Sequence, residues 1–474
     1  MPERRPGVVI LGAGPAGLGA AYKLAGRGLF DVTVVERQSL VGGNAGSFEI
    51  AGLRVDYGSH RLHPACAPEI LQDIQGMLGA DLMDRPRHGR MHLRGRWVHF
   101  PLKPLDLSLH LPLSFSFGVL ADAALKLGRK PDESSFESVL RHGLGRTICD
   151  DFYFPYARKI WGVAPDQLDA EQARRRVSAG SLGKMIRKVL NAVPGWKPKG
   201  AGRFYYPRRG YGQIPEAYYC AALKAGARMR LSTPVTGLDM EAGRIRQVLI
   251  SEGGSQEKES AIPASLVLST IPVTQLARMV HPAAPVAVLQ SAASLRYRAM
   301  ILVYLVLETG QYTEYDAHYF PDPSVAITRL SEPKNYGLAA LPGRTVLCAE
   351  LPCSTEERVW SAGNEELGEL VCKALAVAGL PRVAPLKVES RRLAQAYPIY
   401  TRDYRMHFDR VDQWLNTIDG VVTFGRQGLF AHDNTHHALA MAYALNDSLD
   451  DTATLNRGRW EAHRREFARH VVED

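Results

Sequence analysis

Apolar residues along this chain alternate between two rhythms. Val8–Leu11 is an unbroken apolar run of strand length, which predicts a buried parallel strand. It stops at Gly12, Gly14 and Gly17, after which Leu18, Ala21, Tyr22 and Leu24 recur at helical spacing. A second run, Val32–Val35, ends on Glu36, nineteen residues after Gly17. Residues 1 to about 85 therefore read as βαβ-like. Alternation on either side of Gly95 predicts a hairpin over Arg85–Phe100. From about 104 to 198 the spacing is helical, with Ser134-Ser-Phe-Glu137 in the form of a capping box and Asp169-Ala-Glu-Gln172 as a second helix start. Strand patterns return at Phe204–Tyr206, Arg228–Leu231, Ile245–Ile250 (after a turn at Glu241-Ala-Gly-Arg244) and Leu266–Ile271, which ends at Pro272. Ser251–Ser260 reads as a polar loop. Met300–Leu307 opens a second β-rich section, and Gly420–Gly425 followed by Asn434–Leu445 is again strand, turn and helix. Internal repeats and low-complexity segments are absent from the sequence.

The opening glycines carry chemistry. Gly12 suits a tight turn, Gly14 lets backbone approach a diphosphate, and Gly17 lets helix pack on strand, with Pro15 and Ala16 between them. A helix N-terminus offers unpaired N–H groups and a positive dipole end to phosphate. Glu36 stands where an acid accepts ribose hydroxyls. Strand before, helix after and acid at this distance together specify dinucleotide binding. Just beyond the acid, Arg37 and a glycine doublet, Gly42-Gly43-Asn44, follow. There is no second strand–GxGxxG–helix unit, since Arg209–Gly212 and Glu252–Gly254 lack its context.

Composition narrows the class. The chain has 474 residues, enough for two or three domains, with 46% hydrophobic and 23% charged residues, as in a soluble globular protein. Net charge is +9, which favours an anionic substrate or partner. Basic residues are not interleaved with aromatics as on a nucleic-acid platform, so no nucleic acid is expected. The six cysteines have neither CxxC nor zinc spacing and read as free thiols, and no metal is expected. Met1–Gly7 runs straight into the first strand without a signal peptide, so the expected location is the cytoplasm. No apolar stretch reaches the ~20 residues of a spanning helix. The nearest, Leu107–Leu120, carries His110 and Pro112 and would line an apolar cavity or core, or touch a membrane surface.

With its glycine doublet the N-terminal stretch resembles the FAD-binding branch of the Rossmann proteins. Further motifs extend the likeness: Val55–His63, Arg94–Pro101, Phe154–Gly162, Tyr206–Gln213, Ala396–Tyr400, and Gly425-Arg-Gln-Gly428 with Asp433–His437. The chain resembles the flavoprotein superfamily of amine oxidases, protoporphyrinogen oxidase and UDP-galactopyranose mutase over nearly its whole length. The middle motifs are most similar to the mutase and its protoporphyrinogen-oxidase-like relatives. The resemblance implies an α/β fold in which a Rossmann-type, glutathione-reductase-like FAD-binding domain (1–85, 200–275 and 415–474) is interleaved with a mixed α+β substrate domain (86–199 and 276–414; helical over 104–198, β-rich over 296–400). It implies noncovalent FAD held by Gly12, Gly14, Pro15, Ala16, Gly17, Glu36, Arg37, Gly42, Gly43 and Asn44. Val235 would meet the adenine, and Gly58, Ser59 and His60 the isoalloxazine. Gly425 and Arg426 would lie above the flavin, with Thr435, His436, His437 and Ala438 beneath its pyrimidine carbonyl. In the family an acid precedes the final histidine, and here His436 replaces it. His60, Arg329 and Tyr397 are the catalytic candidates. Arg61, Arg158, Trp161, Arg208, Arg329, Tyr397, Tyr400 and Arg402 are the substrate-binding candidates, because arginine gives bidentate contacts to phosphate or carboxylate and paired phenols can grip a phosphate or glycan.

The expected activity is FAD-dependent oxidation of a small, anionic or sugar-like molecule, with hydride passing to flavin N5 and then to an acceptor that the sequence does not name. The alternative is a redox-neutral nucleotide-sugar mutase. A third, non-catalytic reading is suggested by escort proteins of prenylated GTPases, which share this fold.

Overall fold

The computed structural model describes residues 5–100, 106, 110–125, 132–176, 202–252, 258–337 and 342–472. Five parallel strands form its central sheet in the order Val421–Thr423, Leu266–Ser269, Gly7–Leu11, Asp31–Val35, Arg228–Arg230. They come from widely separated parts of the chain, all parallel to one another. The apolar runs predicted as fully buried are divided by the two-residue period of a strand. Val8, Ile10, Val32, Val34, Leu266 and Leu268 enter one core, beneath the helices Pro15–Gly26, Gln213–Lys224 and Thr435–Ser448. Val9, Leu11, Val35 and Val267 enter a second core, against an antiparallel sheet of Val235–Glu241, Arg244–Glu252 and Lys258–Pro263 with the short strand Val280–His281. Two buried faces explain why these strands carry no polar alternation.

A seven-stranded sheet builds the other half, in the order Lys387–Pro398, Tyr297–Leu307, Thr345–Cys353, Arg329–Ser331, Ala317–Tyr319, Gly89–Leu93, Arg96–Phe100. One face packs on the helix Asn364–Val377. The other receives Phe48, Ile50, Leu53 and Val55 of the hairpin Ser47–Ile50/Leu53–Asp56, which follows the glycine doublet and packs on Met300, Leu302, Tyr304 and Val306. This hairpin ties the two sheets together and delivers Gly58-Ser59-His60 to their junction.

Several expectations shift in register or partner. The Arg85–Phe100 hairpin shortens to Gly89–Leu93 and Arg96–Phe100, turning at Arg94-Gly95 with φ of 50° and 71°. Both central residues are left-handed, as a two-residue turn needs to match strand twist. Leu82–Pro86 is recruited elsewhere, pairing with Arg203–Pro207. The supposed polar loop Ser251–Ser260 contains strand residues, Lys258 onward pairing with Gln247–Glu252 at the sheet edge. The capping box moves by one residue: Ser135 caps the helix Phe136–Leu144 and Ser138 closes it at 3.0 and 3.1 Å, because Glu137 is taken by Arg141 at 2.8 Å. Asp169 does start the next helix, accepting the Glu171 N–H at 2.8 Å. Of the helical expectation over 104–198, residues 177–198 lie outside the described residues, as do 107–109 of the apolar stretch.

One half-buried amine joins the helical part to the loop between the strands Ala317–Tyr319 and Arg329–Ser331, and burial lowers its pKa to about 7. Lys159 Nζ donates to the carbonyls of Phe320, Asp322, Val325 and Ile327 at 2.5, 3.0, 2.6 and 2.8 Å. Lys159→Met is expected to leave these acceptors without their donor and to lower stability by about 1–3 kcal/mol. Urea denaturation checks this; a loss below about 1 kcal/mol, the scale of an exposed ion pair, would contradict it.

Candidate active site

A single cavity of about 1960 Å³ runs from the glycine loop to the helical part. Ligand pockets are commonly ~300–1,000 Å³, so this one has room for a large cofactor and a second molecule.

At one end lie Gly12, Gly14, Pro15, Ala16, Glu36, Arg37, Gly43 and Asn44. A Cβ on Gly17 would stand 1.9 Å from the Gly12 carbonyl, so helix and strand meet too closely for any side chain there. Gly14 is different. Its backbone is extended (φ −77°, ψ 179°), and a Cβ there would meet nothing within 4 Å inside the chain. Glycine at this position leaves open space in front of a helix start whose first residue is Pro15, and first-turn N–H groups have no intrahelical partner. The space suits a diphosphate. The Glu36 carboxylate is held at the rim, accepting the N–H groups of Ala13 and Gln38 at 2.8 and 2.9 Å. Thr233 N donates to Glu36 O at 2.8 Å, which brings Pro234 and Val235 to the same end of the cavity. Gly42 and Gly17 stand behind the wall, and Gly42 N donates to the Ala13 carbonyl at 2.8 Å.

The middle of the cavity is bounded by Ser59, His60, Arg61, Arg329, Glu350, Tyr397, Arg426, Thr435 and Ala438. Sheet register places Arg329 directly opposite Glu350. Arg329 Nε and Nη2 donate to one Glu350 oxygen at 2.9 and 2.7 Å, and Ser59 N donates to the same oxygen at 3.1 Å. Burial works against the Arg329 charge, yet Glu350 together with Tyr319 and Tyr397 more than offsets it and the guanidinium stays protonated. The pair thus braces the Gly58–His60 turn. Glu350→Ala would strand a buried cation, with an expected loss of about 3–5 kcal/mol. The Arg329→Ala/Glu350→Ala double variant should lose less than the sum of the single ones. Additive losses in chemical denaturation would count against the pairing.

His60 donates Nε2–H to the Tyr57 carbonyl at 2.9 Å and stacks on Tyr211. Burial pushes its pKa down, against the opposing influence of Asp56, so the ring is neutral with Nδ1 as acceptor. Asp56 beneath it is fully enclosed. It accepts from Ser47 Oγ at 2.6 Å, from Tyr211 N at 2.9 Å and from the Tyr206 hydroxyl, and burial still pushes its pKa up. Arg61 is paired with Asp316 at 3.4 Å and reaches the hydroxyls of Tyr319 and Tyr336. Tyr397 lies under the guanidinium groups of Arg426 and Arg176 and stacks on His432. Arg426 Nε and Gln427 Oε1, on cavity-lining residues, are buried without a partner among the described residues.

Gly425 abuts Ala16, where a Cβ would come to 2.9 Å, so the end of strand Val421–Thr423 touches the glycine-loop helix. The helix Thr435–Ser448 begins at the cavity, with Thr435 and Ala438 on its wall. His436 is buried and its pKa is pushed down to about 3 by burial and by His437. Asp433, fully buried, lies 3.5 Å from His437 Nδ1 and 3.4 Å from His470 Nδ1. These three groups have metal-ligand chemistry, but the two rings stack within 13° of parallel. Their in-plane lone pairs therefore run side by side rather than converging on one point, and His437 Nδ1 instead accepts the Asn434 N–H at 3.3 Å.

Not every substrate candidate reaches the cavity. Arg158 and Arg402 are exposed away from it, and Arg402 donates to the Ser134 carbonyl at 3.3 Å. Arg208 faces Asp81 at the surface. Tyr400 is buried flat on Tyr404, with its hydroxyl accepting His432 N, so it grips no ligand. Trp161 does line the cavity. Sequence reasoning missed Glu350, Asp56, Asp433 and Arg176. At the far end is an apolar arm formed by Met91, Leu93, Phe115, Val119, Leu144 and Phe152 among others; Phe115 and Val119 belong to the Leu107–Leu120 stretch expected to line an apolar cavity, and the rest of the arm was missed. Helical spacing of Leu140, Leu144 and Ile148 was a readable signal for part of that arm.

Comparison with known proteins bears on this geometry. Residues 15–442 match the family model described as flavin containing amine oxidoreductase. A phytoene dehydrogenase of Streptomyces griseus is 27% identical over 275 residues, 52% of this chain and 51% of that protein. Protoporphyrinogen oxidase 2 of Arabidopsis thaliana, chloroplastic/mitochondrial, is 32% identical over 177 residues, covering 35% of this chain and 34% of that protein. The matches thus span about half or less of these relatives. The crystal structure of a reduced UDP-galactopyranose mutase superposes with a TM-score of 0.79 at 20% identity, over 99% of this chain and 100% of that one, a likeness of fold.

Proposed function

The chain belongs to the flavin containing amine oxidoreductase family, and we propose that it is an FAD-dependent enzyme that oxidises a C–H bond of an amphiphilic small molecule. The observation that carries this reading is the continuity of one cavity from the open space at Gly14, past His60, Arg329 and Tyr397, into an apolar arm. FAD, when bound, supplies the hydride-accepting ring and the route for electrons to a later acceptor.

The protein's own contribution is positioning. Backbone from Gly12 to Gly17, including Pro15 and Ala16, would hold the diphosphate, and Gly42, Gly43 and Asn44 would flank it. Glu36 would take the ribose hydroxyls, its backbone contacts leaving lone pairs to spare, with Arg37 and Val235 beside the adenosine half. Ser59 and His60, fixed through Glu350 and Arg329, would form the wall against which the ring and substrate meet. Gly425, Arg426 and the helix start at Thr435, His436, His437 and Ala438 would face the ring's pyrimidine edge, where a helix dipole favours developing negative charge. Neutral His60 can accept a proton at Nδ1 in this wall. Arg176, Arg426 and Tyr397 would hold the substrate's polar or anionic group, with Trp161 and the arm enclosing its apolar body. Apolar walls exclude water and suit a molecule with a substantial hydrocarbon part better than a nucleotide sugar. Family membership and oxidase relatives speak against the escort reading.

The test is a balance of electrons. FAD-loaded protein is offered amphiphilic substrates with and without an external acceptor. Product formation matched mole for mole by acceptor consumption is expected. Isomerised product from dithionite-reduced protein, with no acceptor consumed, would replace this reading with the mutase.

A further inference from the structure

The helix Leu113–Leu125 has an inward and an outward apolar face. Its inward side supplies Phe115 and Val119 to the apolar arm of the cavity. It is fastened there by Gly118, where a Cβ would stand 2.6 Å from Thr147 Oγ1, and by Asp122, which accepts the Thr147 N–H at 2.7 Å. The outward side carries Phe117, Leu120 and Leu125, which are 68%, 64% and 62% exposed. Exposed Ala121 and Ala124 fall on the same stripe, at the i, i+3, i+4, i+7, i+8 positions of one helical face. Large apolar side chains clustered on an exposed face mark an interaction surface.

We propose that this outward face rests on an anionic lipid bilayer and that the apolar arm behind it receives its ligand from there. The ligand part rests on the reading of the cavity as the substrate site; the docking part does not. Three observations bear on a lipid occupant. The helix has thirteen residues, about 20 Å at the α-helical rise, a length suited to lying in a bilayer interface. The stripe contains no charged residue, since Asp122, the helix's one ionisable group, is spent inward. The described charges around it are basic at the rim: exposed Arg96 at the hairpin tip, Arg94 over the Phe115 ring and Arg146 with its side chain 82% exposed. Arg94 pairs with Asp151 and Arg146 with Asp150. An apolar stripe with a basic rim is the pattern that anionic headgroups attract. The same helix forms the wall of the arm, so a molecule dissolved in the bilayer would enter without crossing water.

The experiment is flotation of the FAD-loaded full chain with phosphatidylcholine vesicles, with and without phosphatidylglycerol. The wild type is expected to float with the anionic vesicles and less with the neutral ones. Phe117→Ser/Leu120→Ser/Leu125→Ser should partition at least about tenfold more weakly, given the apolar area removed. Val286→Ser/Met406→Ser, which removes exposed apolar residues elsewhere, should float as the wild type does. Visible flavin absorbance of each fraction reports folding and cofactor content without any turnover. The proposal is overturned if the wild type stays with the free protein, if the triple variant floats equally well, or if the stripe instead holds two copies of the chain together in sedimentation. A colourless chain that still floats would remove the cofactor reading and leave the docking surface standing.

Discussion

Gly14→Leu is expected to yield a folded but colourless protein. Extended backbone at this residue is open to any side chain, and no atom of the chain lies within 4 Å of a Cβ built there. The free chain should therefore keep its melting temperature. The same Cβ points into the space in front of Pro15 and Ala16 where the diphosphate would sit. A side chain there takes the place of the phosphates, so FAD affinity should fall by more than about 100-fold, roughly 3 kcal/mol or more. Gly17→Ala serves as contrast, because its Cβ would collide with the Gly12 carbonyl at 1.9 Å and damage the fold itself. Fluorescence titration with FAD, alongside a melt of the unloaded protein, separates the two. A yellow Gly14→Leu protein with wild-type affinity would contradict the placement of the diphosphate.

The second large effect is acid lability. Burial keeps His318 and His436 neutral, with pKa values pushed down to about 3, and lowers His437 to about 4. Burial, with Arg176 and Arg426 nearby, also lowers the His432 pKa well below its ordinary value. In the unfolded chain each would titrate near its ordinary 6.5. A folded-state pKa below the unfolded one means that unfolding takes up protons as pH falls. Stability from these groups is therefore complete above 6.5 and declines steadily down to the folded values. At pH 5 an isolated ring such as His318 costs about 2 kcal/mol, and His436 and His437, which touch and titrate as a pair, add to this, a large share of the ~5–15 kcal/mol of a typical domain. Melting temperatures should drop steeply between pH 7 and 5. His318→Gln, far from the glycine loop, should flatten the slope by about one proton, or ~1.4 kcal/mol per pH unit. A stability flat across that interval would contradict neutral burial of these rings.

What the sequence discloses depends on how local the cause is. Val8–Leu11, Gly12–Gly17 and Glu36 are read correctly as strand, turn and acid because each is fixed by neighbours within one βαβ unit. The Asn434 helix start is legible for the same reason. Pairings set by long-range register are not. Nothing near Arg329 in sequence announces Glu350, which arrives from the adjacent strand, and Asp433 meets His470 only after the C-terminal helix Arg457–Phe467 has folded back. The chemistry of arginine alone does not tell Arg158, Arg208 and Arg402, which end at the surface, from Arg426, which lines the cavity. Lys258–Pro263 was missed as a strand because an exposed edge strand carries charge and proline without penalty.

The most direct measurement is the flavin content of the purified chain. Denaturation should release FAD in equal molar amount to polypeptide, leaving none covalently attached. A chain that emerges colourless, and takes up no FAD when incubated with it at neutral pH, would contradict the account.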